Sequence, residues 1–207
     1  AISARDFLVA YNINLNSTST RRANAIAFDI REAGRLKTEN NKVGGKKVLD
    51  ENGEPVRIPG KLKAVKGIGW FIEEYGIAQI SYNLTNITIT SMHEAFYETD
   101  VAATKRGLRV TGSELVGLVP LQAMLDAADF YLKKQERSLG ISDNEKIKIA
   151  IKSLGLDDLK PFNPKEKIIE YLLEGETKKL VDLTVSEFAE EKFSLVLIEK
   201  NYTYQRK

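Results

Sequence analysis

A chain of 207 residues can bury a core as one domain with an appendage or as two small domains, and one unit with a tail is the simpler organisation. It has no cysteine, which excludes disulfides, thiolate nucleophiles and thiolate zinc sites and fits a reducing compartment, so the cytoplasm is the expected location. Lys+Arg 31 against Asp+Glu 29 leave a formal charge of +2 with no basic block, so charge does not announce nucleic acid; no apolar run approaches the roughly 18 residues of a membrane helix, and no membrane association is expected.

The sequence opens AISARDFLVAY, without an initiator methionine and with strand composition after a few residues, as expected for a piece of a longer protein. Residues 7–15, FLVAYNINL, alternate so that Phe7, Val9, Tyr11, Ile13 and Leu15 share an apolar face, while Leu8, Ala10, Asn12 and Asn14 share the other. STSTRRANAIAFDIREAG then places Ala23, Ile26, Ala27, Ile30 and Ala33 at helical spacing, with hydroxyls for capping before it and Gly34 after it. Residues 38–60 are polar and glycine-rich, and Asn-Gly in VLDENGEPVRI signals a small hairpin, read as a surface insertion.

LKAVKGIGWFI and IAQISYNLTNITI flank the short joint EEYG, too short for a parallel crossover, and so predict an antiparallel hairpin. SMHE offers Ser91 and Glu94 as a capping box for a helix that ends before Gly107, and Met92, Ala95, Phe96, Thr99, Ala102 and Ala103 line its inner face. LRVTGSELVGLV supplies a fourth strand. Pro120 starts a third helix with Leu121, Met124, Leu125, Ala128 and Leu132 inward, and a fourth runs from Ser142 to about Leu154. The order through Val119 is β-α-β-β-α-β: an α+β, ferredoxin-like unit with a four-stranded antiparallel sheet, helices on one face and additional C-terminal helices.

An even-length turn at residues 73–76 pairs Trp70 with Gln79, Ile68 with Ser81 and Lys66 with Asn83, and puts Gly67 and Gly69 beside Tyr82 and Ile80 on the helix side. Glycines there let a helix approach the sheet; KGIGW is not GxGxxG and does not precede a helix, so it is no nucleotide loop. The uncovered face then gathers Asn12, Asn14, Lys66, Trp70, Gln79, Ser81 and Asn83. His93, the single histidine, falls in the first turn of a helix, where capping or packing is the simpler role. Glu114 could act as a base, but a strand carboxylate is more often solvated or paired.

FLVAYNINLNST, LKAVKGIGWFI, AQISYNLTN, GSELVGLVPLQAMLDAA and PFNPKEKIIEYL, in consistent order, resemble the glutamate formimidoyltransferase (formiminotransferase) family. In that family two related α/β subdomains face each other across a groove, and residues 1–173 resemble the C-terminal one. The resemblance implies transfer of the formimino group from N-formimino-L-glutamate to tetrahydrofolate, the acceptor substrate, in histidine breakdown, with no metal. The family's proton-transfer histidine lies in the N-terminal subdomain, which nothing here matches; no catalytic residue is expected in this chain, and alone it is expected to be inactive. The uncovered face would form one groove wall, with Asn12, Asn14, Lys66 and Asn83 as folate or substrate contacts.

The implied partners are the N-terminal subdomain, folate, formiminoglutamate and a second copy in a homodimer. KKLVDLTVSEFAEE resembles the start of a fused cyclodeaminase domain, with Thr184 and Glu187 as a capping box, but KFSLVLIEKNYTYQRK lacks that domain's glycine-rich pattern. Residues 174–207 are therefore read as a linker with a truncated or atypical tail. The competing reading is a stand-alone ferredoxin-like binding module, RNA-binding among the options. RNA platforms of this shape need stacking aromatics on the central strands, where this chain has asparagine, glutamine and serine.

Overall fold

The computed structural model describes residues 7–41 and 44–175; the Thr184 and Glu187 pair and the tail lie outside the described residues. In chain order the elements are β1 (Val9–Leu15), α1 (Thr20–Ile30), β2 (Arg35–Leu36), β3 (Arg57–Ile58), β4 (Val65–Ile72), β5 (Ile77–Leu84), α2 (Met92–Thr104), β6 (Val110–Val116), α3 (Leu121–Lys134), α4 (Asp143–Leu154) and α5 (Pro164–Lys167). The four long strands form an antiparallel sheet in the order β4-β5-β1-β6, the ferredoxin-like arrangement. β2 and β3 pair as a separate ribbon at the base of the insertion. At its tip the Asp50 carboxylate accepts the Asn52 and Glu54 N–H groups at 2.9 Å, and Gly53 takes the left-handed conformation of the turn.

One sheet face builds the core. Val9, Tyr11, Ile13 and Leu15 of β1 and Ile80, Tyr82 and Leu84 of β5 are fully buried, with Ala23, Ile26 and Ala27 of α1 and Ala95 and Ala103 of α2 among the residues packed around them. Burying each large apolar side chain stabilises by about 1.5–3 kcal/mol, and the strict alternation in FLVAYNINL leaves no other face for them. Ser19, Ser91 and Ser142 cap α1, α2 and α4, each accepting a backbone N–H three residues on at 3.3 Å. α1 stops at Ile30, before Gly34, because Arg31 turns to an extended conformation. Gly34 serves the insertion instead: a Cβ there would fall 1.8 Å from the Ile58 carbonyl oxygen.

The β4–β5 pairing follows the expected register, Lys66 with Asn83, Gly67 with Tyr82, Ile68 with Ser81, Gly69 with Ile80 and Trp70 with Gln79. Gly69 lets α1 lie directly on β4, since a Cβ there would come within 2.2 Å of the Asn24 backbone nitrogen. The same approach closes the sheet edge. Asn24 donates to the Gly69 carbonyl at 2.8 Å and accepts its N–H at 3.0 Å, and Arg31 donates to the Gly67 carbonyl at 3.1 Å. These bonds occupy outward-facing backbone groups that would otherwise template another strand.

Candidate functional site

The sheet face opposite Tyr11 and Tyr82 carries the polar residues of β1 and β5. Strand alternation puts Asn12 and Asn14 there, and pairing brings Gln79, Ser81 and Asn83 of β5, Lys66, Ile68 and Trp70 of β4, and Glu114 of β6 to the same side. The face has two regions. Lys66 and Asn83 are exposed, and beside them Ile68 and Trp70 remain 53% and 38% exposed, large apolar groups presented on a flat surface. Asn12, Asn14 and Gln79 are instead buried, the last two completely.

The buried region is a connected polar network. Asn14 donates from its amide to Asp158 at 2.9 Å, and Gln79 donates to the Asn14 amide oxygen at 2.8 Å. Gln79 and Asn12 both donate to Oε2 of Glu114, at 3.4 and 3.2 Å, and Thr111 donates to Asp158 at 3.2 Å. Asp158 arrives from the segment after α4, which closes against the sheet at Gly112; a Cβ on Gly112 would lie 2.4 Å from that of Asp158. This closure is why Asn14, expected on an open face, is covered by a loop 144 residues away in sequence, while Asn12 is held by Glu114 of the neighbouring strand.

Gln79 fixes the character of the site. Both groups bonded to its Nε2 are acceptors, so the amide cannot be turned over, and its Oε1 is buried with no partner among the described residues. A buried acceptor without a donor costs about 1–3 kcal/mol, and with no open surface on Oε1 a ligand N–H or O–H would recover it only by parting the network around it. Among the residues expected to form a site, Asn12 and Asn14 therefore belong to the buried network, while Lys66 and Asn83 lie on the exposed flank. Gln79 and Glu114 are the additions, brought by cross-strand pairing to Asn14 and Asn12 respectively.

His93 is elsewhere. Its Nε2 meets the Ser91 hydroxyl at 3.0 Å, its ring stacks on Phe130 of α3 with centroids 4.7 Å apart, and burial lowers its pKa against a smaller opposing effect of Asp126. It packs in the helix layer. Among the described residues no group of three or more His, Cys, Asp or Glu side chains could hold a metal ion, and no helix is long and apolar enough to cross a membrane.

The family model described as "Formiminotransferase domain" matches residues 10–174. The chain is 43% identical over 190 residues to the formimidoyltransferase-cyclodeaminase of Mus musculus, covering 91% of this chain and 31% of that protein. It is 45% identical over 170 residues to that of Sus scrofa, covering 82% and 28%. The glutamate formimidoyltransferase of Thermoplasma acidophilum is 36% identical over 132 residues, 64% of this chain and 35% of that protein. The chain thus spans about a third of the length of these curated relatives.

Proposed function

The chain belongs to the formiminotransferase family, and from that premise we propose that residues 1–173 act as the C-terminal subdomain of a glutamate formimidoyltransferase. Its polar sheet face supplies one wall of the groove in which the formimino group passes from N-formimino-L-glutamate to tetrahydrofolate, a step of histidine catabolism in the cytoplasm. An N-terminal subdomain supplies the opposite wall and the proton-transfer histidine, the assembly is a homodimer, and residues 174–207 lead away as a linker and tail. The observation that carries this reading is the open flank of that face, where Lys66 and Asn83 are exposed beside the exposed side chains of Ile68 and Trp70, a surface against which a second wall can close.

The chemistry asks for such a surface. The folate N5 amine attacks the amidine carbon of the donor, the bond from that carbon to the glutamate nitrogen breaks, and glutamate leaves as its nitrogen takes up the proton that N5 gives up. Both reactants carry N–H groups that must be held in line at contact distance. Gln79 Oε1, enclosed in the folded chain, accepts one of these N–H groups when the network beside Glu114 parts to admit the ligand. Glu114, whose Oε2 is already held by Asn12 and Gln79, turns its remaining oxygen to the ligand. Trp70 and Ile68 offer flat apolar area for a planar ring, and Lys66 and Asn83 meet carboxylate and polar groups at the rim. Proton transfer belongs to the other wall.

The test is complementation. The purified chain is expected to show no formimidoyl transfer, and mixing or fusing it with an N-terminal formiminotransferase subdomain is expected to restore turnover. Full turnover by the chain alone, or none in a folded fusion, would overturn the proposal.

A further inference from the structure

A cavity lies on the helix side of the sheet, away from the polar face. It has a volume of about 850 Å³ and is lined by six arginines, Arg21, Arg22, Arg31, Arg35, Arg57 and Arg106, with no acidic residue among its described lining. They come from α1, the ribbon of the insertion and the end of α2, so the fold rather than one helix face assembles them. One carboxylate answers part of this charge from outside the lining: Asp29 pairs with both Arg35 and Arg106. Arg31 lies over the Phe28 ring at 4.1 Å and donates to the Gly34 and Gly67 carbonyls, which hold it without neutralising it.

Two further features make the arrangement costly when empty of anions. Arg21 and Arg22 occupy the first turn of α1, the positive end of the helix dipole, where no acidic residue offsets them and neither has a carboxylate partner among the described residues. Arg31 and Arg35 both have lowered pKa values, from burial first and then from the charges of Arg57 and Arg106 respectively. Surface arginines with no ligand would spread apart or pair with acids. Here they converge from several directions, which suits tetrahedral oxyanions that accept hydrogen bonds on all sides better than a planar carboxylate that accepts in its own plane.

We infer that this cavity is a binding site for a ligand carrying two or more linked phosphates, separate from the formimidoyl-transfer face and independent of that assignment. Arg21, Arg22 and Arg57, exposed and without an acidic partner among the described residues, grip the outer phosphates; Arg35 and Arg106, braced by Asp29, form the floor.

Titration calorimetry with the purified chain at about 150 mM salt, where long-range attraction is screened, tests this with inorganic tripolyphosphate, pyrophosphate, orthophosphate and citrate as probes. Saturable binding of one tripolyphosphate per chain is expected, weakening as the phosphate chain shortens. Arg21→Gln with Arg22→Gln, and separately Arg57→Gln, should each weaken it by about tenfold or more, the scale of losing a charge-assisted contact. Lys133→Gln with Lys165→Gln, which removes the same charge from exposed positions outside the cavity, should leave it unchanged. The site is overturned if binding never saturates or if the lysine variant weakens it as much as the arginine variants, and the phosphate assignment is overturned if citrate binds as tightly as tripolyphosphate.

Discussion

The ring of Tyr82 lies across Gly67 on the neighbouring strand, so close that a Cβ on the glycine would stand 2.5 Å from the ring carbon Cδ1. The ring cannot yield easily, because its hydroxyl is hydrogen-bonded at 3.0 Å to Thr99 of α2 in the buried interior. Gly67→Ala should therefore destabilise by about 1–3 kcal/mol, as overpacking of a rigid core does. Gly69→Ala should cost more, since its Cβ would strike the backbone of α1 rather than a side chain and would also disturb both Asn24 bonds that close the sheet edge. Denaturant melts of the two variants give the order; equal stability to the parent at Gly69 would mean that α1 does not sit on β4.

Adjacent residues on β5 should separate stability from function. Tyr82 is fully buried under α2 and Asn83 is exposed on the opposite face. In a fusion with an N-terminal subdomain, Tyr82→Ala should cost about 3–5 kcal/mol, with activity lost only as the fold is lost. Asn83→Ala should leave the melting temperature nearly unchanged and lower kcat/KM by about 2- to 100-fold, the range for one lost hydrogen bond to substrate or intermediate. Thermal melts and steady-state kinetics read both, and the reverse pattern would move the binding face to the other side of the sheet.

Acid sensitivity should be traceable to His93. Burial against Phe130 favours the neutral ring, so its folded pKa lies below the ordinary 6.5. As pH falls through about 6.5 the unfolded chain takes up the proton first, and stability present above that pH is progressively lost towards the lower folded pKa. Carboxylates titrate mostly below about pH 5, and no other histidine exists in the chain, so the interval between is nearly its own. Melting temperatures between pH 5 and pH 7 should fall on acidification, and His93→Gln should flatten that slope; an unchanged slope would assign the proton uptake to another group.

The sheet could be read from local pattern because its information is local. Alternation in FLVAYNINL, the even turn before Gly76 and the capping serines each act over a few residues, and together they set the strand order, the β4–β5 register and the side on which Gly67 and Gly69 lie. The site was legible only by face. That Asn12 and Asn14 share a side follows from period two, but the covering of Asn14 involves Asp158, whose approach across Gly112 leaves no periodic trace in the sequence. Glu114 was visible as a strand carboxylate without its partners, because Asn12 and Gln79 reach it through pairings of β1 with both neighbours. The arginine cavity was equally hidden, since its lining comes from segments as distant as Arg21 and Arg106.

Gln79 offers the sharpest separation of a ligand-facing role from a structural one. Its side chain is fully buried, yet Oε1 has no partner while Nε2 has two, so the folded chain bears the cost of one acceptor it does not use. Gln79→Met keeps the length and removes that acceptor together with the two donated bonds. Glu114 keeps its Asn12 bond and the Asn14 oxygen loses its donor, so gains and losses of similar size should leave stability within about 1 kcal/mol of the parent. Tetrahydrofolate binding to the two-subdomain fusion, followed by tryptophan fluorescence with Trp70 directly across from residue 79, should weaken by about 2- to 10-fold for the lost hydrogen bond. Gln79→Glu retains oxygen acceptors but sets a carboxylate against Glu114, so it should be destabilised at neutral pH and recover on acidification as one of the pair takes up a proton. If Gln79→Met instead unfolds the chain while the surviving folded fraction binds folate normally, the amide is a structural strut of the network and the acceptor faces no ligand.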